Sequence, residues 1–128
     1  MSALEQMLKD LNHSMTHPSA HGFVNNRIWS VEWRFGVKRI EDKARDNVFS
    51  IATIEIHGAS RGRGNLTALL RHLIEYPELA GHRIDWLYFE QCRYRLANHL
   101  VRELHFHADH GLVIDAWRRV TGQLEMSL

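Results

Sequence analysis

The chain has 128 residues, enough to bury one core and too few for two ordinary ones, so a single domain over 1–128 is expected. Hydrophobic residues make up 45% and charged residues 24%, which excludes a disordered, collagen-like or membrane-embedded chain. Lys plus Arg exceed Asp plus Glu by one, 16 against 15, too small an excess for a protein held on nucleic acid mainly by neutralising phosphates.

The start, "MSALEQMLKDLNH", has no signal-peptide order and no apolar run is long enough to span a bilayer, so a cytoplasmic protein without a membrane partner is expected. The single cysteine, Cys92, excludes an internal disulfide and a cysteine-rich zinc cage. Ten histidines make the surface charge sensitive to mild acid.

Leu4, Met7, Leu8 and Leu11 recur at helical spacing behind Ser2, a suitable N-cap, and predict a helix over 3–11. Residues 12–26 are rich in turn formers and read as a loop. In "RIWSVEWRF", 27–35, Trp29, Val31, Trp33 and Phe35 alternate with polar residues, the mark of a strand with one buried face. That aromatic face would form an interface, and hence a homodimer, if nothing inside the chain covers it. Residues 41–47 read as a solvated connection and 48–57, "VFSIATIEIH", as a second strand antiparallel to the first.

Leu66, Leu69, Leu70, Leu73 and Ile74 predict a helix closed at Tyr76 by Pro77. A strand over 83–90, a helix over 91–104, a strand in "GLVIDAWRRV" and a tail complete the order. "HFHADH" reads as a helix end and turn; its histidine spacing fits no strong zinc motif, and no metal is expected. The pattern is α/β (α+β).

Between the second strand and its helix lies "IHGASRGRGNLTALL". The first amides of a helix have no partner inside it and the helix dipole adds positive charge there, so an anion is the natural guest. Gly58, Gly62 and Gly64 clear side chains from the backbone, and Arg61 and Arg63 flank it with charge, as a phosphate cradle requires. Asn65 and Leu66 stand where a nucleotide P-loop needs Lys and Ser or Thr, and Thr67 where a dinucleotide fingerprint needs its third glycine.

The segment resembles the pyrophosphate loop of the GCN5-related N-acetyltransferases (GNAT superfamily): Arg or Gln, two residues, Gly, one residue, Gly or Ala. Arg61, Gly62, Arg63, Gly64, Asn65 and Leu66 fill the six places, departing only at Leu66. A later helix is similar in its apolar frame, with Ala97, Leu100, Leu104 and Phe106; Tyr94 replaces the family's Asn, His105 its Gly and Val101 its tyrosine acid. The resemblance covers roughly 48–106. It implies a central mixed, mainly antiparallel sheet flanked by helices, and acetyl-CoA or a related acyl-CoA bound by Ile56, Arg61, Gly62, Arg63, Gly64, Asn65, Leu66 and Thr67. It further implies acyl transfer to an amine-bearing small molecule or protein, with a tRNA-borne amine also open. Glu55, opposite in orientation to Ile54 and Ile56, is the first candidate base, with His57 and Glu90 behind it, and Tyr94, two turns before Val101, is the candidate acid. The alternative is a non-catalytic CoA-binding or protein-interaction module.

Overall fold

A computed structural model describes residues 1–16, 20–62 and 64–120. The helix α1 (Ala3–Met15) leads into three antiparallel strands, β1 (His21–Asn25), β2 (Trp29–Ile40) and β3 (Lys43–Ile56). A 3-10 turn, Gly58–Ser60, precedes α2 (Asn65–Glu75). A two-strand hairpin, β4 (Glu78–Leu79) and β5 (His82–Arg83), is followed by β6 (Trp86–Phe89), α3 (Tyr94–Leu104), β7 (His107–His110) and β8 (Ile114–Arg119). The main sheet has the order β1-β2-β3-β6-β8-β7, with β3 and β6 its one parallel pair.

The predicted elements recur with corrections: the strand expected over 83–90 is confined to Trp86–Phe89, with Arg83 in the β4–β5 hairpin, the helix expected from 91 begins at Tyr94, and four further differences follow. The first helix runs on to Met15 because Met7, Leu11 and Met15 continue one buried stripe, and its start is the capping box of Ser2 and Glu5. Within the expected loop of 12–26 lies β1, whose alternation "HGFVN" is half exposed and owes its strand form to pairing with β2. Residues 43–47 belong to β3, leaving Glu41 and Asp42 as a two-residue hairpin turn with φ of 54° and 64°. "HADH" is strand β7, and His105 occupies the left-handed C-cap of α3 at φ 58°, the place a glycine usually takes. The tail after Val120 lies outside the described residues.

One core joins the helices to the sheet: Met7 and Leu11 from α1, Leu69, Leu70 and Leu73 from α2, and Leu100 and Leu104 from α3 pack with Trp29, Val31, Trp33, Phe49, Ile51 and Phe89. The aromatic face of β2 is therefore covered inside the chain and is not available to a second copy. Trp33 is fully buried and its indole N–H donates to Ser14 Oγ at 2.7 Å, which locks the ring beneath β1. Gly22 lies across from it, and a Cβ there would stand 2.5 Å from Trp33 Cζ2. Gly22→Ala is expected to lower unfolding free energy by about 2 kcal/mol, because an overpacked, hydrogen-bonded indole cannot step aside. Denaturant unfolding of the two proteins checks it.

On the other face Tyr88 stacks on Trp117 at 6.1 Å, and its hydroxyl donates to Asp115 Oδ2 at 2.5 Å. Burial first, and then the Asp115 carboxylate, push the phenol pKa well above its ordinary value. The folded chain thus keeps a proton that the unfolded chain releases above about pH 10, so this stability is complete below about pH 10 and declines above it. Tyr88→Phe is expected to flatten the loss of stability on the alkaline side, read as denaturation midpoints on either side of about pH 10.

Candidate functional site: the cleft between two parting strands

The spacing of apolar residues in β3 changes midway. Phe49 and Ile51 face the core, and so do Ile54 and Ile56, which requires one extra residue between the two pairs. The register shows it: Glu32 pairs with Thr53 but Trp33 with Ile51, leaving Ala52 as a bulge. The parallel ladder to β6 ends at the same point, with the pair Ile51↔Phe89 and the bond from Glu90 N–H to Ile51 O at 3.0 Å. Beyond it the strands part around a cleft of about 830 Å³ lined by Ala52–Ile56, Arg61 and Gly62 on one side and Phe89–Arg93, Arg95 and Leu96 on the other.

Along the parted segment the edge of β3 away from β2 faces this cleft. His57 N–H donates to Ile28 O at 2.7 Å, so by the alternation of an antiparallel ladder the amides of Ile54 and Ile56 point away from β2 and into the opening.

Both helices that start beside the cleft lack a side-chain cap, whereas α1 has one. Gly64 is the N-cap of α2 at φ 70°, in the left-handed region, and the first intrahelical bond is Ala68 N–H to Gly64 O at 2.9 Å. The amides of Asn65, Leu66 and Thr67 thus lie ahead of the ladder. Asn65 Nδ2 donates to Ser60 O at 3.0 Å, fixing the turn to the helix, and Thr67 Oγ1 meets His99 Nε2 at 2.7 Å, tying α2 to α3. A Cβ at Gly62 or Gly64 would meet nothing within 4 Å, so the space beside the helix end is open. Leu66 packs against the core, which turns its side chain away from that space.

Two carboxylates line the cleft and differ in their ties. Glu90 accepts from Arg34 Nη1 at 2.8 and 3.1 Å and lies 4.0 Å from Lys38 Nζ, so its charge is already matched. Glu55 is 62% exposed and its partner is His57, at 3.8 Å from Nδ1. Cys92 also lines the cleft; burial pushes its thiol pKa up, which keeps it protonated near neutral pH.

No protein-family model matches the chain, and no curated protein does. Among solved structures, one of the AtaT toxin (a tyrosine-to-phenylalanine mutant) bound to the C-terminus of the antitoxin AtaR and to acetyl-CoA is similar, at a TM-score of 0.53 and 16% identity. The likeness covers 79% of this chain but 64% of the other, so this chain spans less than two thirds of that protein's length. The fold is GNAT-like.

Within this GNAT-like frame the structure brings together much of what the sequence suggested. Glu55, Ile56, Arg61 and Gly62 line one cleft, and Gly64, Asn65, Leu66 and Thr67 form the cap and first turn of the helix beside it. Arg63 lies outside the described residues. Tyr94 is not brought in: it is 62% exposed, its ring meets His110 edge-on at 6.2 Å, and it is absent from the cleft lining. Val101 is 39% exposed on the same helix. Among the described residues no group of three or more His, Cys, Asp or Glu is placed to hold a metal, and no helix is long and apolar enough to cross a membrane.

The sequence reading missed Arg93, Arg95 and Leu96, which bring the N-terminus of α3 to the cleft. The signal was present as two arginines at a second strand-to-helix junction, the same arrangement that drew notice to Arg61 and Arg63.

Proposed function

We propose that the protein binds acetyl-CoA or a related acyl-CoA in the cleft between β3 and β6 and transfers the acyl group to an amine. The observation that carries the reading is the coincidence of three features at one opening: parted parallel strands, inward-facing amides, and an uncapped helix end beside a left-handed glycine. The residues fit the ligand. The amides of Asn65, Leu66 and Thr67 and the guanidinium of Arg61 would hold its pyrophosphate, where the helix dipole and charge-assisted hydrogen bonds act together. The free edge of Ala52–Ile56, which lines the cleft, would receive the pantetheine arm.

Acetyl-CoA when bound would supply an activated acyl carbon: the amine lone pair would form the C–N bond as the C–S bond breaks, the remaining excess N–H proton would pass to solvent, and the departing thiolate would take a proton from solvent. The N–H groups of Ile54 and Ile56, which point into the cleft, would stabilise the negative charge that grows on the carbonyl oxygen. Glu55 takes the proton that the incoming ammonium must lose before it attacks, and its exposure leaves it open to the acceptor.

A thiol is acidic enough to leave near neutral pH without a side-chain acid, with an unperturbed pKa of about 8.5. Tyr94→Phe is accordingly expected to change kcat by less than about twofold, whereas loss of an essential general acid costs about 100-fold or more. Release of free CoA thiol in the presence of a panel of amines tests the proposal, with steady-state rates for each variant. Saturable acyl-CoA binding with no thiol release from any amine would favour a non-catalytic CoA-binding module, the reading that exposed Tyr94 and Val101 also favour.

A further inference from the structure

Alternation along the strands sets four polar side chains in a row on the face of the sheet opposite the core, because Asn25 pairs with Ser30, Ser30 pairs with Glu55, and His57 follows two residues on. Ser30 Oγ lies 2.6 Å from Asn25 Oδ1 and 2.8 Å from His57 Nε2, and His57 Nδ1 lies 3.8 Å from Glu55 Oε1. A hydroxyl has one proton, and an amide oxygen only accepts, so Ser30 spends its proton on Asn25. What remains for His57 is an acceptor. With that bond made, the ring donates through Nε2–H, and in its neutral form its basic lone pair is on Nδ1, the nitrogen that faces Glu55.

We propose that Asn25 and Ser30 are positioning residues that fix the tautomer of His57, and that His57 Nδ1 is the destination of the proton Glu55 removes from the acceptor. The catalytic half of this statement rests on the acyltransfer reading; the tautomer does not. The logic is one of placement: Glu55 Oε1 lies 3.8 Å from Nδ1, the ring nitrogen left with the lone pair, and Glu55 is the more exposed of the two towards an acceptor. The balance is simple: the ammonium N–H bond breaks, the proton passes through a Glu55 oxygen to the Nδ1 lone pair, and the carboxylate is restored beside an imidazolium. That imidazolium donates from Nε2 to Ser30 and from Nδ1 towards Glu55, and solvent reclaims the proton after each turnover. With the other tautomer Nδ1 would already carry a hydrogen and no such transfer could occur.

The experiment reads the ring nitrogens directly. In a long-range proton–nitrogen spectrum of the nitrogen-15-labelled protein without any substrate, recorded well above an imidazole's unperturbed pKa of about 6.5, His57 is identified by the signals lost in His57→Gln. The expected result is a protonated Nε2 and an unprotonated Nδ1 in the wild type, a mixture of tautomers in Ser30→Ala, and the wild-type pattern kept in Ser30→Thr, which retains the hydroxyl. An Nδ1–H tautomer or a mixture in the wild type, or no change in Ser30→Ala, would overturn the proposal. In the rate assay Ser30→Ala is expected to lower kcat about tenfold with the KM for acyl-CoA unchanged, and Ser30→Thr to restore it, as befits loss of part of a general-base contribution. A kcat unaltered in Ser30→Ala overturns the relay, and absence of turnover in the wild type overturns the acyltransfer reading while leaving the tautomer result standing.

Discussion

Gly64→Glu is expected to abolish measurable binding of acetyl-CoA, a loss of at least about 100-fold, or about 3 kcal/mol. Two effects combine. Gly64 has φ 70°, and an L residue in the left-handed region costs about 1–2 kcal/mol. A carboxylate at the helix cap then meets the pyrophosphate, and two like charges about 4 Å apart near a protein surface repel by about 4 kcal/mol. The strain alone is small against a typical domain stability of about 5–15 kcal/mol, so the variant stays folded. Gly64→Ala separates the two effects: a Cβ there meets nothing within 4 Å, and the expected loss is less than about tenfold. Calorimetric titration of the three proteins, with unfolding curves to show that each is native, checks this. Equal binding by the wild type and Gly64→Glu would place the ligand elsewhere.

Glu55→Gln is expected to lower kcat about 100-fold while leaving acyl-CoA affinity within about twofold, the range expected when a general base is removed and donor contacts are untouched. Its neighbour Glu90 cannot substitute, since Arg34 and Lys38 hold its charge on the sheet face. The defect is expected to shrink with acceptors whose amines are already neutral at the assay pH, because they have no proton to lose before attack. A uniform defect across acceptors of differing amine pKa would assign Glu55 to acceptor binding instead.

How much of this was legible in the sequence depended on whether local chemistry or distant pairing set the outcome. The glycine-rich turn into α2 was legible because left-handed glycines and an absent cap are local features, and Gly62 and Gly64 do have φ of 72° and 70°. The bulge at Ala52 was present as the three-residue step from Ile51 to Ile54, yet its meaning depends on which strand pairs on each side. β1 could not be read because its five residues carry little alternation of their own and take their form from β2. The row from Asn25 to Glu55 spans three strands, and only the register brings Ser30 within 2.8 Å of His57. Tyr94 failed to join the site for a related reason: helical spacing placed it near Val101 in azimuth, but not the turn of the helix relative to the cleft.

Binding of acetyl-CoA in the cleft between β3 and β6 is tested most directly by an amide spectrum of the labelled protein titrated with acetyl-CoA. Saturable shifts are expected at the amides of Ile54, Ile56, Leu66 and Thr67, with Arg61 and Gly62, and little change on β1 or β7. Shifts confined to other surfaces, or none at concentrations where the protein is shown to be folded, would contradict it.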